Sequence, residues 1–177
     1  MKIGMRSLRF FILLFAASSL LFHPPSDFEA FAATSDGSVD STVEINYETT
    51  SLGLFNGDHF GASVANIGDL DGDGVNDLAV GAHLDNAGGG AGTNRGAVHI
   101  IFMNTDGTVK STKEINQTTE NGPIALSRDD QFGKSVANIG DLDGDGVNDL
   151  AVGAPGDDGG GNNRGAIYII LMNTNGT

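Results

Sequence analysis

The chain of 177 residues contains no cysteine, and only 9 of its residues are Lys or Arg. The absence of cysteine excludes disulfides, thiolate metal sites and cysteine nucleophiles. Because 23 Asp and Glu residues give a formal net charge of -14, nucleic acids and anionic membrane surfaces are repelled. Cations are therefore the expected partners. The length allows one domain or a stretch of a larger one.

Long hydrophobic runs are also scarce. The apolar run at residues 10–22 has 13 residues, fewer than the roughly 20 that a membrane-spanning helix needs. Basic residues precede this run, and the small-x-small pattern Ala30-Phe31-Ala32 follows it, which is typical of a secretory signal peptide. We predict cleavage after Ala32, no membrane span after cleavage, and a secreted or cell-surface location.

A nearly identical segment occurs twice in the chain. Residues 60–82 recur as residues 132–154, displaced by 72 positions with one substitution. Residues 35–46 also match residues 105–116, as an earlier partial copy. The predicted organisation is a signal peptide at 1–32, an N-terminal strand completing or preceding a blade at 33–59, a first repeat at 60–131, and a second repeat at 132–177 that lacks its last strand.

Each repeat has the pattern of four short strands. Residues 60–67 are apolar near every second position, and residues 78–82 form a short apolar run. Residues 98–103 are apolar on both faces, as in a sheet packed between neighbours, and residues 167–172 repeat this pattern. A hairpin signal then leads to a more polar strand at residues 109–117.

Repeated units of four antiparallel strands, apolar inside and polar at the outer edge, are typical of β-propeller blades. We therefore predict an all-β fold of propeller blades. A parallel β-helix is the main alternative, but its rungs are shorter and carry ligands in nearly every turn. Here one acidic loop appears per 72 residues, which favours the propeller.

The two copies share an acidic loop. Residues 69–77 read Asp-Leu-Asp-Gly-Asp-Gly-Val-Asn-Asp, and residues 141–149 are identical. Carboxylates at positions 1, 3, 5 and 9, with the carbonyl at position 7, are the hard oxygen ligands that Ca²⁺ prefers. Glycines at positions 4 and 6 allow positive φ, so the backbone can wrap around an ion. We predict two Ca²⁺ sites with these ligands: Asp69, Asp71, Asp73, Val75 and Asp77, then Asp141, Asp143, Asp145, Val147 and Asp149.

Other readings of this loop fit less well. Mg²⁺ prefers strict octahedral geometry and keeps its waters, and the loop offers no His or Cys for Zn²⁺. An EF-hand needs a bidentate Glu at position 12, where this chain has Val80 and Val152. A metal-free acidic turn is the remaining alternative.

At this point the residues resemble a known family. Phe60-Gly61 and Gly81-Ala82 flank the first loop, and Phe132-Gly133 and Gly153-Ala154 flank the second. These units resemble FG-GAP repeats, the blades of the integrin α-subunit propeller, although His83 stands where the family has Pro. The resemblance implies a seven-bladed propeller, calcium loops between the first and second strands, and partner binding on other loops.

Two calcium loops are too few to close such a ring, and apolar faces of terminal blades would be left uncovered. We expect the chain to be part of a longer protein with further repeats. In the alternative, residues 39–49 supply the strand that completes the final blade, and closure occurs by self-association between chains.

Catalysis would require groups outside the loops, and the candidates are His59, His83, His99 and the Asp pairs. Because the second repeat has no histidine at these positions, we predict that this chain is not an enzyme. The predicted function is a secreted calcium-binding module of extracellular binding or adhesion, with structural calcium and a protein or glycan ligand. The alternative is a non-catalytic fragment of a larger secreted or surface enzyme of hydrolase or phospholipase type.

Overall fold

The computed structural model describes residues 39–50, 52–86, 92–118, 125–159, 161–162 and 164–176. The described residues contain seven β-strands, all within the compact unit at residues 43–177, and no α-helix. No described segment is therefore a helix that could cross a membrane. The predicted signal peptide, residues 1–32, lies outside the described residues. The all-β fold class is confirmed.

The first repeat folds as a four-stranded antiparallel sheet with its strands in sequence order. The strands are β1 (Phe60–Gly68), β2 (Asp77–Ala82), β3 (Ala97–Met103) and β4 (Val109–Ile115). Six of the seven residues of β3 are buried, because both of its faces are apolar and both are covered. Only one of the seven residues of β4 is buried, as expected for a polar edge strand. The four-stranded blade predicted from the sequence is confirmed.

We predicted Gln117 as the last residue of β4, but the strand ends at Ile115. It ends there because the chain turns at Asn116. The Asn116 Oδ1 accepts a hydrogen bond from the Thr118 N–H at 2.6 Å. Asn46, the matching residue of the partial N-terminal copy, accepts one from the Glu48 N–H at 2.9 Å in the same way. The described residues between 39 and 59 nevertheless form no strand. That this segment completes a blade stays a prediction.

The second repeat folds as a three-stranded antiparallel sheet. Its strands are β5 (Ser135–Gly140), β6 (Asp149–Ala154) and β7 (Ala166–Ile170). The third strand ends at Ile170, two residues before the predicted end. β3 extends further because Met103 pairs with Val109 of β4, whereas no fourth strand lies beside β7 in the described residues.

The second repeat docks onto the first through the backbone of Phe132 and Gly133. Gly96 forms an isolated parallel bridge with Phe132, and the Phe132 N–H donates to the Arg95 carbonyl at 2.9 Å. A Cβ at Gly96 would lie 2.0 Å from the Phe132 carbonyl oxygen, and a Cβ at Gly81 would lie 1.9 Å from that of Gly133. Because glycine lacks this atom, the two backbones can touch.

One hydrophobic core joins the two sheets, and a smaller cluster covers the other face of the first sheet. The fully buried Phe132 belongs to the main core, where its ring packs edge-to-face on Tyr168 at 5.5 Å between centroids. In the smaller cluster, Leu52 from the N-terminal segment packs on Val80 and Ile101. The main core draws on both repeats and includes Ile67, Ile100, Phe102, Leu150, Val152 and Met172.

The outer face of β7 exposes side chains whose counterparts in β3 are buried. Val98 and Ile100 pair with Gly81 and Ala79, and Ile167 and Ile169 pair with the matching residues of β6. Val98 and Ile100 are 0 % exposed, whereas Ile167 and Ile169 are 74 % and 50 % exposed. The uncovered apolar face expected for a terminal blade is therefore present on β7.

We predict that Phe132→Ala lowers the free energy of unfolding by about 3–5 kcal/mol, because it leaves a cavity in the core between the repeats. Phe60→Ala changes the matching residue of the first repeat, which is only half-buried, and should cost less. Urea denaturation of both variants at one calcium concentration measures the difference. Equal losses would contradict the assignment of Phe132 to the joining core.

Candidate metal centres

Each acidic loop is closed by its first aspartate. Residues 69–77 connect β1 to β2. The Asp69 Oδ1 accepts hydrogen bonds from the N–H groups of Gly72 at 2.8 Å and Asp73 at 2.9 Å, and Oδ2 accepts from Gly74 at 2.8 Å. These bonds wrap the backbone around one carboxylate.

The second loop, residues 141–149, repeats this arrangement between β5 and β6. Asp141 accepts hydrogen bonds from the N–H groups of Gly144, Asp145 and Gly146 at 2.7, 3.1 and 2.9 Å. The matching glycines also agree in conformation, since φ of Gly146 is 92° and φ of Gly74 is 90°. The positive φ predicted for these glycines is confirmed.

The last aspartate of each loop is buried and links the loop to a methionine at the end of the third strand or just beyond it. Asp77 is 1 % exposed. Its Oδ2 accepts from the Leu70 N–H at 2.9 Å and its Oδ1 from the Met103 N–H at 3.0 Å. Asp149, 0 % exposed, accepts from Leu142 at 2.8 Å and from Met172 at 2.9 Å.

Three of the four predicted carboxylates converge in each loop. One oxygen from each of Asp69, Asp71 and Asp77 lies within 4.8 Å of the other two, and the second loop brings together its matching three: Asp141, Asp143 and Asp149. Asp73 and Asp145 lie outside these groups of three. The Oδ1 of Asp73 accepts from the Val75 N–H at 2.9 Å, and Asp145 does the same with Val147 at 2.8 Å.

These donor sets fit a hard divalent cation. Every side chain in them offers carboxylate oxygen, the atom type that Ca²⁺ binds in proteins. The ligand roles of the Asp73 and Asp145 carboxylates and of the Val75 and Val147 carbonyls stay predictions.

The two loops differ in one contact that the sequence analysis missed. The Lys110 ammonium, on β4, lies 2.7 Å from the Asp71 Oδ2 and 2.6 Å from the Asp73 Oδ2. The hydrogen bond from Lys110 holds the pKa of Asp73 below its usual value, and the bonds to both carboxylates raise the pKa of Lys110. The ammonium therefore places one positive charge against two carboxylates of the first loop. The second sheet has no β4 counterpart among the described residues.

The two loops lie beside each other. The Asn148 Nδ2 donates to the Ile67 carbonyl at 3.0 Å, and the Asn138 Nδ2 donates to the Asn66 carbonyl at 2.9 Å. A cleft of about 180 Å³ between the loops is lined by residues of both, including Asp69. The two candidate centres are therefore adjacent, and hydrogen bonds join the segments that hold them.

The three histidines considered for catalysis do not form one group. The His59 and His83 rings are in contact, with 5.4 Å between their centroids, and the His83 Nε2 lies 2.7 Å from the Lys134 Nζ. Burial, followed by the charge of Lys134, lowers the pKa of His83. His99 instead packs its ring on Phe60 at 5.5 Å. The prediction that this chain is not an enzyme stays a prediction.

We predict that Asp149→Ala lowers the free energy of unfolding even in chelator. It removes the acceptor of two backbone N–H groups, and each buried donor left unpaired costs about 1–3 kcal/mol. Asp143→Ala, in the same loop, removes an exposed carboxylate and should change stability in chelator by less than about 0.5 kcal/mol. Urea denaturation of both variants in EDTA measures the two losses of stability. An equal loss in both variants would contradict a metal-independent role for Asp149.

Comparison with known proteins agrees with the geometry of the repeats. The FG-GAP repeat family matches residues 60–101 and 132–170. The chain is 38 % identical over 108 residues to integrin alpha-PS5 of Drosophila melanogaster, covering 59 % of this chain and 10 % of the relative.

Two vertebrate relatives give a similar result. Identity is 40 % over 135 residues to integrin alpha-5 of Xenopus laevis, with 73 % of this chain and 12 % of the relative covered. It is 39 % over 113 residues to integrin alpha-V of Gallus gallus, with 63 % and 10 % covered. The chain thus spans about a tenth of the length of these relatives. The chain contains two FG-GAP repeats, which fold as β-propeller blades, and it is similar to integrin alpha chains.

Proposed function

We propose that this chain is a secreted, calcium-binding β-propeller module that mediates extracellular binding or adhesion, with calcium in a structural role. One observation carries the calcium part of the proposal. Two loops of identical sequence each bring three carboxylate oxygens within 4.8 Å of one another. Such close like charges repel unless a cation lies among them.

The residues of each loop suit Ca²⁺ better than other cations. Ca²⁺ takes 6 to 8 oxygen ligands in flexible geometry. Asp69, Asp71 and Asp77 would hold the ion in the first loop, together with the Asp73 carboxylate and the Val75 carbonyl. The second loop would use the matching residues: Asp141, Asp143, Asp145, Val147 and Asp149. When bound, the ion supplies positive charge that neutralises the crowded carboxylates.

The position of each loop supports a structural role for the ion. The first loop joins the end of β1 to the start of β2, and Asp77 already bonds to the last residue of β3. A cation among these carboxylates would therefore strengthen the link between three strands of one blade. The binding surface for a partner would lie on other loops of the propeller.

The extracellular part of the proposal rests on two observations. The sequence of residues 1–32 has the pattern of a signal peptide, and the matched relatives are integrin alpha chains. The resemblance implies an adhesion role with an extracellular protein or glycan as partner.

We predict that calcium raises the thermal stability of the mature chain. A ligand held at about 100 times its Kd adds roughly 2.7 kcal/mol per site, which corresponds to a Tm increase on the order of 10 °C for a chain of this size. Scanning calorimetry in calcium and in EDTA measures the increase, and elemental analysis should find two calcium ions per chain. An unchanged Tm together with no bound calcium would overturn the proposal.

The same preparations test the binding role. Glycan and extracellular-protein arrays are probed in calcium and in EDTA, with Asp71→Ala/Asp143→Ala as the variant that weakens both loops. We expect ligands retained in calcium and lost in EDTA and in the variant. Binding that ignores both treatments would contradict a role for the calcium-stabilised scaffold.

We predict that the first loop binds calcium more weakly than the second, because Lys110 competes for Asp71 and Asp73. Lys110→Met removes the ammonium and keeps the apolar stem, so the calcium affinity of the first loop should rise by about two- to fivefold, the value of an exposed ion pair. Calorimetric titration in an Asp143→Ala background isolates the first loop. An Asp71→Ala background isolates the second loop, whose calcium affinity Lys110→Met should leave unchanged, and an equal effect on both loops would contradict the competition.

A further inference from the structure

A second group of metal-ligating side chains lies inside the first blade, apart from the acidic loops. One ring nitrogen of His99 and one carboxylate oxygen from each of Asp85 and Glu114 all lie within 4.8 Å of one another. His99 and Glu114 are directly paired across β3 and β4. Asp85 follows the end of β2, and its carbonyl accepts from the Gly96 N–H just before β3. Three elements of the sheet thus converge on this group.

The His99 side chain is buried without a hydrogen-bond partner for one of its ring nitrogens. It is 1 % exposed, and its Nε2 has no partner. Burial lowers the pKa of His99 to about 4 and raises the pKa of Glu114. A buried, neutral imidazole nitrogen with two carboxylate oxygens nearby is a set of atoms that can ligate a metal ion.

The second blade has different side chains at the matching positions. Tyr168 stands at the position of His99, and its hydroxyl donates to the Asp157 Oδ2 at 2.5 Å. Asp157 is the counterpart of Asp85, and both aspartates are buried. In the second blade the aspartate is paired with a hydroxyl, whereas in the first blade an imidazole and an additional carboxylate lie beside the matching aspartate. The first blade therefore holds a donor set that its own copy lacks.

We propose that His99, Asp85 and Glu114 form a third metal site, selective for a borderline transition-metal cation of the Zn²⁺ class. One imidazole nitrogen and two carboxylates are donors that Zn²⁺ accepts, whereas Ca²⁺ sites are built from oxygen alone. Two carboxylates, a neutral imidazole and a divalent cation sum to zero charge, which suits a buried position.

The test uses the mature chain without a histidine tag, saturated with calcium so that the acidic loops are filled. Zn²⁺ is titrated by calorimetry, and Co²⁺ is titrated by visible absorption, which reports nitrogen and oxygen ligation. We expect one Zn²⁺ per chain beyond the calcium, a Co²⁺ absorption band at the same stoichiometry, and a Tm raised by Zn²⁺. No zinc bound beyond the calcium would overturn the site.

Matched variants locate the ion. His99→Tyr installs the residue that the second blade tolerates at this position, and Glu114→Gln keeps the shape of its side chain. Both should lose the additional Zn²⁺ while keeping calcium binding and a cooperative unfolding transition. Tyr168→Phe should change no stoichiometry. Because the His59 and His83 rings are also in contact, His59→Ala is the decisive control. Loss of the zinc in His59→Ala, or its retention in His99→Tyr, would overturn the proposal.

Discussion

The crowding of carboxylates in the two hairpins is the constraint on which each blade depends. The loop must hold three carboxylate oxygens within 4.8 Å of one another, and their repulsion opposes the turn that joins the first two strands. Backbone N–H groups offset part of it, because Asp69 accepts three of them and Asp77 accepts two. In the first loop the Lys110 ammonium offsets a further part of this repulsion.

The contact between the repeats depends on a different device. Gly81 and Gly96 present bare backbone to the Phe132-Gly133 step of the next repeat, and the Ser63 hydroxyl donates to the Gly133 carbonyl at 2.8 Å. The Phe side chain then enters the joining core, where it is fully buried. The glycines of one repeat and the Phe-Gly pair of the next thus form a single joint. Their recurrence in sequence reflects a contact between copies.

Much of this fold could be predicted from the sequence because it depends on local patterns. The acidic loops, their glycine conformations and the order of the strands follow from residue spacing within one repeat. The early end of β7 could not be predicted in this way, because the length of a strand depends on its neighbour. Met103 stays in β3 through its pairing with Val109, and that partner lies on another strand.

The contacts missed from the sequence all join different elements. Lys110 contacts the first loop from another strand of the sheet. The two are so far apart along the chain that residue spacing does not indicate the contact. His99 was considered as an isolated histidine, but the ladder register places Glu114 opposite it and the turn after β2 adds Asp85. A comparison of the two repeats offers the one available clue, since Tyr168 replaces His99 in an otherwise similar strand.

The outer face of β7 has a geometric consequence. Ile167 and Ile169 offer the surface that Val98 and Ile100 use to receive the second blade, while the opposite face of that blade is already occupied. A further blade that docked on β7 in the same manner would therefore use a surface of its own that differs from the outer face of β7. Such a contact is heterologous, because the two surfaces differ. Each blade added through it is rotated in the same direction relative to the previous one, and the series closes only when the last blade contacts the first.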